Sequence, residues 1–365
     1  MTETACIDLF CGAGGLTHGL QAKGVNVVAG VDVDENCRHP FEVNNNAIFL
    51  LKDVQHLRSE ELRTLFGSAR FKILAGCAPC QPFSTYAQRY DTAGTPRWAL
   101  LYHFGRLIRE LEPDVVTMEN VPTVAKHKVF SDFVNALEET GYVVHTEVVD
   151  CRAYGLPQNR RRMVLLASRF GKITIPPPSH ETYVSVRDAI GHVVPVTDGE
   201  KDPKDPLHTS SKLSPINRQR IRASKPGGSW RDWPRELVAE CHKRATGKTY
   251  PGVYGRMKWD EPAPTLTTQF FGFGNGRFGH PEQDRALSLR EGAILQGFPT
   301  DYSFLPMGQK VHLKALGRMI GNAVPVTLGE VIGSAITAHL ASIEAGASEQ
   351  PVESSQGVES QTCIA

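Results

Sequence analysis

The sequence lacks several features that mark large classes of proteins. It contains no run of 18 apolar residues, so we expect no membrane-spanning helix. Its first residues do not combine a basic start with a long apolar core, so we expect no secretion signal. Only 8 of its 365 residues are cysteines, and their spacing gives no disulfide framework, which favours a reducing cytoplasm. A net charge of +1 excludes a uniformly basic protein.

Short apolar runs alternate with helical patterns over the first 170 residues. Runs at 72–75 and 114–118 predict strands, and the patterns at 60–66 and 99–111 predict helices. Further candidate strands lie at 6–10, 25–33, 47–52, 143–149 and 162–167. This alternation predicts an α/β fold, in which a parallel sheet carries helices on both faces. A length of 365 residues leaves room for a second domain or a large insert.

Residues 172–285 differ in composition from the segments on either side. They contain 13 of the 24 prolines, which favours loops and short strands over long helices. Within them, residues 212–258 carry 12 Lys and Arg against 3 Asp and Glu. A local net charge of +9 indicates a surface that faces a polyanion, although a solvated loop region would also account for it. Helical patterns return after residue 288, and the polar stretch 344–365 is expected to be a disordered tail.

A glycine-rich turn, 8–15, follows the first predicted strand. Glycines allow a ligand to approach the backbone, and the start of the next helix offers free N–H groups to an anionic group. Asp32 and Asp53 end the next two strands, where the first suits a ribose diol and the second an adenine amino group. Together these features predict a site for an adenosine-containing ligand. The alternative is an ordinary strand–helix turn with two solvated carboxylates.

Segment 76–84 contains a Cys-x-x-Cys pair, Cys77 and Cys80, directly after a predicted strand. Such a pair can be a redox couple or half of a zinc site. No second Cys-x-x-Cys completes a zinc site, so we expect no metal. Pro79 and Pro82 disfavour the helix that a redox pair usually heads, but they support a third interpretation, a single nucleophilic cysteine on a rigid loop. Cys80 is then the nucleophile, and Cys77 is expected to be a small core residue.

Six short motifs resemble those of the DNA (cytosine-5)-methyltransferases and occur in that family's order. Pro79-Cys80-Gln81 resembles the nucleophile motif, and Glu119-Asn120-Val121 resembles the second catalytic motif. The other four are Phe10-x-Gly12-x-Gly14, Gln158-x-Arg160-x-Arg162, Arg290-Glu291 with Leu295-Gln296-Gly297-Phe298-Pro299, and Gly321-Asn322-Ala323-Val324. The resemblance covers about residues 4–170 and 286–340. It implies the Rossmann-like, mixed but mostly parallel sheet of S-adenosylmethionine-dependent methyltransferases, with a smaller irregular or β target-recognition domain.

The resemblance implies catalytic roles for four residues. Cytosine C5 is a poor nucleophile, and Cys80 would add to C6 to form an enamine with electron density at C5. Because the pKa of a free cysteine is roughly 8.5, its loop must favour the thiolate, or the attack must be concerted with protonation. Glu119 would hold cytosine N3 as a general acid. Of Arg160 and Arg162, one would orient Glu119 and the base O2, and the other would support the catalytic loop and phosphate.

The resemblance also implies S-adenosylmethionine as the methyl donor and S-adenosylhomocysteine as its product. The residues expected around it are Phe10, Gly12, Ala13, Gly14, Asp32, Val33, Asp53, Val54, Pro79, Leu100, Asn322 and Ala323. Asp32 would bind the ribose, while Asp53 and Val54 would contact the adenine edge. Val33 stands where the family often has an aromatic residue that stacks on adenine, so apolar contact must substitute for stacking.

The implied substrate is duplex DNA, from which the target cytosine must be flipped out of the base stack. The expected DNA contacts are Gln81, Ser84, Gln88, Arg89, Arg256, Thr267 and Arg277, and Gln88 or Arg89 would fill the vacated stack. The polar segment 85–98 has the composition of a closing loop. We expect a catalytic, cofactor-binding domain at 1–171, a target-recognition domain at 172–285, completion of the catalytic domain at 286–343, and a disordered tail at 344–365.

Three functions compete for these motifs. The leading one is a site-specific DNA methyltransferase of prokaryotic or phage type, either the companion of a restriction endonuclease or an orphan epigenetic regulator. A tRNA-methylating relative is the second, but the insert of more than 100 residues and the lack of a Cys-Phe-Thr motif count against it. A DNA-binding protein without catalysis is the third, and the intact Cys80, Glu119, Arg160 and Arg162 count against it. We expect a cytoplasmic, nucleoid-associated monomer that does not bind membranes.

Overall fold

The computed structural model describes residues 3–79, 99–244, 247 and 252–348. Its strands are β1 (Thr4–Leu9), β2 (Val27–Asp32), β3 (Ile48–Leu51), β4 (Phe71–Gly76), β5 (Val115–Asn120), β6 (Val143–Asp150) and β7 (Arg161–Ser168). The α-helices among the described residues are α1 (Gly15–Ala22), α2 (Arg38–Asn44), α3 (Ser59–Phe66), α4 (Ala99–Leu111), α5 (Lys128–Glu139), α6 (Val186–Ile190), α7 (Pro215–Arg222), α8 (Glu240–Lys243), α9 (Leu289–Leu295), α10 (Leu313–Asn322) and α11 (Val326–Ser348).

The seven strands form one sheet in the order β3-β2-β1-β4-β5-β7-β6. Strands β1 to β5 are parallel to one another, whereas β7 runs antiparallel to both β5 and β6. The predicted mixed, mostly parallel sheet is therefore confirmed. The chain winds outward from β1 to β3 and then returns to place β4 on the other side of β1. This reversal opens a crevice at the carboxyl ends of β1 and β4, the place where ligands bind in such sheets.

Alternate residues of β1 face the two sides of the sheet. Ala5, Ile7 and Leu9 pack into one core, together with buried residues of α3, α4 and α5. Cys6 packs on the opposite face with buried residues of α1 and α11. Asp8 shares that second face and is likewise buried. The alternation therefore brings a carboxyl group into the sheet's interior beside α1.

Helices α1 and α11 pack closely against each other on one face of the sheet. A Cβ atom added at Gly19 would lie 2.3 Å from the carbonyl oxygen of Val326, so the contact depends on glycine. Residues 313–346 are long and apolar enough to cross a membrane, but 50% of the relevant window is buried inside the protein. Because α11 packs along α1, a core helix accounts for this hydropathy.

Residues 172–285 form short helices and isolated β-bridges in their described part, without extended strands. Their proline content accounts for the interruption of regular structure. Trp230 and Trp233 belong to a small core within this segment. Phe270, in contrast, belongs to the same cluster as Phe298, which follows α9. The segment therefore has its own core but is also joined to the chain that follows it.

Candidate active site

One cavity of about 670 Å³ lies at the carboxyl ends of β1, β2, β4 and β5. Its wall includes these predicted residues: Phe10, Gly12, Ala13, Asp32, Val33, Asp53, Val54, Pro79, Leu100, Glu119, Arg160, Arg162, Asn322 and Ala323. Gly14 is not part of the wall, and a Cβ atom added there would lie 2.5 Å from Nδ2 of Asn45. Cys80 lies outside the described residues. The cavity therefore gathers the described catalytic candidates and most of the cofactor candidates.

The glycine turn after β1 folds back through three residues with positive φ. Phe10 has φ 60°, Gly12 has φ 52° and Gly14 has φ 87°. Positive φ is uncommon for a residue with a Cβ atom, so Phe10 is held there by its surroundings. No atom lies within 4 Å of a Cβ atom added at Gly12, and its N–H group donates to Oδ2 of Asp32 at 2.9 Å. The turn therefore presents bare backbone to the cavity.

Asp32 and Asp53 differ in how firmly the structure holds them. Oδ1 of Asp32 accepts from the N–H of Asp34 at 3.0 Å while Oδ2 holds Gly12, and each oxygen keeps a second lone pair. Burial raises the pKa of Asp32 above its usual range. The carboxylate of Asp53 is more exposed and accepts from the N–H of Gln55 at 2.9 Å. Both groups line the cavity with acceptors for hydroxyl or amino groups.

Sequence reasoning missed Asp8, which ends up on the cavity wall and is only 1% exposed. Oγ1 of Thr17 donates to its Oδ2 at 2.7 Å, and Oδ1 has no hydrogen-bond partner in the described part of the chain. Burial raises the pKa of Asp8 to about 7, and the nearby charge of Asp32 adds to this, while the Thr17 hydroxyl opposes it. The alternation of residues along β1 could have identified Asp8, because it places Asp8 on the same buried face of the strand as Cys6.

The structure brings Glu119 and Arg162 into direct contact. Glu119, near the end of β5, is 3% exposed, and Nε of Arg162 lies 2.8 Å from its Oε1. Arg160 is also buried and donates from Nη2 to the carbonyl oxygen of Ala323 at 3.3 Å. The two arginines thus hold different parts of the same wall, one the carboxylate and the other the loop after α10.

Cys77 packs against a buried core, as expected, but it also lies in the site. It is only partly buried, lines the cavity, and directs its thiol to Oε2 of Glu119 at 2.8 Å. Cys77 therefore belongs to the site. Sequence reasoning assigned it to the core because no motif residue marks this contact between the ends of β4 and β5.

A model of the C-5 cytosine-specific DNA methylase family matches residues 4–338. The chain belongs to this family. It is 52% identical to the type II methylase M.HgiDII of Herpetosiphon aurantiacus, over 91% of this chain and 94% of that protein. It is 31% identical to the type II methyltransferase M1.HphI of Haemophilus parahaemolyticus, over 90% of this chain and 86% of that protein.

The fold is that of a solved structure described as a DNA modification methyltransferase encoded within a prophage of E. coli. The TM-score is 0.70 at 23% sequence identity, and the match covers 93% of this chain and 99% of that one. The enzyme class is therefore DNA (cytosine-5)-methyltransferase, as the motifs predict, and enzymes of this class take their methyl group from S-adenosylmethionine.

Gln158 joins several parts of this methyltransferase and is fully buried. Its Nε2 donates to the carbonyl oxygen of Leu295 at 3.0 Å and to Oε1 of Gln296 at 2.8 Å. Its Oε1 accepts from the N–H of Leu266 at 2.9 Å. Nε2 of Gln296 in turn donates to the carbonyl oxygen of Ala323. One side chain thus connects residues of the 172–285 segment, the end of α9 and the cavity wall.

The predicted DNA contact by Arg256 is wrong in this structure. Arg256 is 5% exposed, and its guanidinium donates to the backbone carbonyl oxygens of Ile221, Ser224, His280 and Gln283. Its remaining nitrogen pairs with Asp284. An arginine enclosed by carbonyl groups holds the segment together and does not reach DNA.

The other predicted DNA contacts are only partly described. Gln81, Ser84, Gln88 and Arg89 lie outside the described residues. Thr267 and Arg277 are both half-buried. A Cβ atom added at Gly321, in α10, would lie 2.5 Å from the carbonyl oxygen of Thr267. Thr267 therefore packs against α10.

Proposed function

We propose that this enzyme methylates C5 of a cytosine at a specific site in duplex DNA, after the base has been flipped into the cavity. The observation that carries the proposal is the position of Glu119. Its buried carboxylate is held by Arg162 on the wall that also carries the glycine turn. A base bound at Glu119 and a cofactor bound at the turn would share one cavity, so the reacting atoms can meet.

The cavity fits S-adenosylmethionine in size and chemistry. A volume of about 670 Å³ lies within the range of roughly 300–1,000 Å³ that is usual for such ligands. Gly12 leaves open space above its backbone, and Asp32 and Asp53 offer acceptors for ribose hydroxyls and an adenine amino group. Asp8 adds a buried carboxyl oxygen that has no partner among the described residues and can accept a hydrogen bond from the ligand. When bound, this donor supplies a methyl group made electrophilic by its sulfonium.

The remaining cofactor candidates surround these acceptors. They are Phe10, Ala13, Val33, Val54, Pro79, Leu100, Asn322 and Ala323, all on the cavity wall. Val33 is 65% exposed, in keeping with an open edge where an adenine ring would have apolar contact without stacking.

Cys80, the residue after Pro79, acts as the nucleophile in this proposal. Its thiolate forms a bond to C6, and the electron pair of the C5–C6 double bond moves toward C5. Glu119 hydrogen-bonds N3 and delivers a proton there, so that negative charge does not build on the ring. C5 then accepts the methyl group. Loss of the C5 proton to water or another base restores the double bond as the bond between C6 and sulfur breaks, and N3 returns its proton to Glu119.

Two arginines complete the proposed base site. Arg162 fixes Oε1 of Glu119 and can also donate to the base O2. Arg160 supports the loop at Ala323 and thereby the boundary between the base site and the cofactor site. Both side chains stay charged at any physiological pH, so they also favour the electron-rich form of the ring.

We assign the catalytic domain to 1–171 and 286–343 and the target-recognition domain to 172–285. The predicted disordered tail, 344–365, is wrong in its first five residues, because α11 continues to Ser348. The exposed Lys and Arg side chains of the recognition domain support contact with phosphate groups, and include Lys212, Arg222, Lys225, Arg231, Arg235, Lys243, Arg244 and Lys258. Binding to DNA should therefore weaken as salt rises. Thr267 and Arg277, with Gln81, Ser84, Gln88 and Arg89, complete the candidate contacts.

The proposed setting is the cytoplasm of a bacterium, where a monomer acts on the nucleoid. The type II names of the relatives support a role beside a restriction endonuclease that reads the same site. An orphan enzyme would carry out the same chemistry without that companion.

Covalent trapping tests the proposed chemistry. Bisulfite sequencing of treated DNA first identifies the modified site, and a duplex is then made with 5-fluorocytosine at that position. A fluorine at C5 cannot be removed by a base as the C5 proton is. The step that releases the cysteine is therefore blocked, and the covalent adduct accumulates. We expect a denaturation-resistant complex with wild-type protein, none with Cys80→Ala, and adduct formation at least about 100-fold slower with Glu119→Gln.

Arg161→Ala is the matched control, because Arg161 lies between the two proposed arginines and its side chain is exposed. It should form the adduct at close to the wild-type rate. Absence of the adduct with wild-type protein, together with methylation of tRNA or of another DNA position, would overturn the proposal.

A further inference from the structure

Cys77 is held in place from two sides. Its N–H group donates to the carbonyl oxygen of Leu9 at 3.2 Å, directly after β4 ends. The next carbonyl group, that of Ala78, accepts from Nδ2 of Asn120 at 3.1 Å. The ends of β1, β4 and β5 thus fix the backbone on both sides of the Cys77 side chain.

The thiol of Cys77 contacts the carboxylate proposed to act on the base. Oε1 of Glu119 lies 2.8 Å from Nε of Arg162, and Oε2 lies 2.8 Å from Sγ of Cys77. Each carboxylate oxygen therefore has its own contact, an ion pair without hydrogen-bond geometry at Oε1 and a hydrogen bond at Oε2. Since a glutamate side chain has three rotatable bonds, two anchors restrict it far more than one.

We propose that Cys77 is a positioning residue for methyl transfer, which fixes Oε2 of Glu119 in the orientation that meets cytosine N3. This inference rests on the proposed function. A thiol is a weak donor, so it orients the carboxylate without holding it as strongly as a second arginine would. The thiol occupies one side of Oε2, and the other side can carry the proton that Glu119 donates to N3. Correct orientation of a reacting group before the reaction lowers the barrier.

Three other titratable side chains in the described part of the chain lie near Glu119, and each has contacts of its own. Arg162 is committed to Oε1, and Arg160 donates to Ala323 and to Gln158. Cys151, the residue after β6, is near enough to feel the charge of Glu119, but burial raises the pKa of its thiol to about 12, so it stays neutral. The hydrogen bond to Oε2 described above is donated by the thiol of Cys77.

The test compares Cys77→Ala with Cys77→Ser. Alanine removes the donor, whereas serine replaces the thiol by a hydroxyl that can still donate. For Cys77→Ala we expect kcat at the optimal pH to fall about tenfold, the effect of losing one hydrogen bond to a charged group. The Kd of S-adenosylmethionine and the KM for DNA should change less than about twofold, since binding does not need this orientation.

Rescue by serine separates positioning from a general loss of structure. In Cys77→Ser most of kcat should be recovered, because the hydroxyl can donate to Oε2 as the thiol does. Cys241→Ser, at an exposed thiol in α8, is the matched control and should leave kcat unchanged.

Three results would overturn the inference. They are a wild-type kcat in Cys77→Ala, an equal loss of kcat in the alanine and serine variants, and a loss of kcat that follows cofactor binding or the melting temperature. In each case wild-type protein would still form 5-methylcytosine. Failure of the proposed function itself would instead appear as absence of 5-methylcytosine with wild-type protein.

Discussion

Asp8 illustrates how one residue can impose a pH dependence on the fold. It lies at the end of β1 with 1% of its surface exposed, and burial raises its pKa to about 7. In the unfolded chain the group ionises near pH 4. Between these values the folded state binds more protons than the unfolded state, so this residue's contribution to stability falls as pH rises from about 4 to 7.

The variant Asp8→Asn should remove that dependence. Its free energy of unfolding should rise relative to wild type between pH 5 and 7, by up to about 1.4 kcal/mol per pH unit, and the difference should level off above pH 7. Asn still offers an oxygen to the Thr17 hydroxyl, so the neighbouring hydrogen bond can persist. Urea denaturation at several pH values measures the difference.

Asp260→Asn is the control for this experiment. Asp260 is exposed, and its pairing with Arg187 lowers its pKa, so it titrates below the window. The free energy of unfolding of Asp260→Asn should differ from that of wild type by a constant amount between pH 5 and 7. If the free energies of unfolding of wild type and Asp8→Asn changed in parallel with pH, this would contradict the buried, protonated state of Asp8.

At the scale of elements, glycines determine how α1 and α11 approach. A Cβ atom at Gly19 would lie 2.3 Å from the carbonyl oxygen of Val326 and 2.6 Å from the backbone nitrogen of Glu330. Backbone atoms cannot rotate away as a side chain can. The two helices would have to move apart, and this would disrupt the core on that face of the sheet.

We therefore expect Gly19→Ala to lower the free energy of unfolding by about 2 kcal/mol, as overpacking of a core does. Gly346→Ala is the matched control within α11, because no atom lies within 4 Å of an added Cβ there. That change should be neutral or stabilising by up to about 1 kcal/mol, since alanine favours helix. Equal effects of the two substitutions in urea denaturation would contradict the close packing.

The sequence predicts the elements of this fold better than it predicts their contacts. Apolar runs locate the central strands because buried parallel strands are continuously apolar, as in β5, whose six residues are all buried. The position of β7 between β5 and β6 is not predictable in this way, since strand order depends on packing far apart in sequence. The same reason explains the site. Motif residues such as Glu119 were found, but the roles of Asp8, Cys77 and Gln158 depend on contacts between elements.

For the whole molecule, a buried ion pair joins the recognition segment to α9. Both Arg285 and Glu291 are at most 1% exposed, and two of their nitrogen–oxygen distances are 2.7 Å. Burial alone would raise the pKa of Glu291, but the hydrogen bonds and charge of Arg285, with a contribution from His280, lower it to about 2. The pair is therefore ionised throughout the physiological range, and each charge depends on the other.

Removing one partner should be costly. Glu291→Gln leaves Arg285 charged and buried, so we expect the free energy of unfolding to fall by about 3–5 kcal/mol. Glu261→Gln, the control, breaks the exposed pair with Lys258 and should change the free energy of unfolding by less than about 1 kcal/mol. Thermal and urea denaturation measure both variants. A small effect of Glu291→Gln would contradict the view that this pair joins the two parts.

The central claim is transfer of a methyl group to C5 of cytosine in DNA, and mass spectrometry of nucleosides tests it most directly. Unmethylated bacterial DNA would be incubated with the protein and deuterium-labelled S-adenosylmethionine and then digested. The account predicts labelled 5-methylcytosine from one recurring sequence, and none with Cys80→Ala. Label in N4-methylcytosine or N6-methyladenine, or label in tRNA with unlabelled DNA, would contradict it.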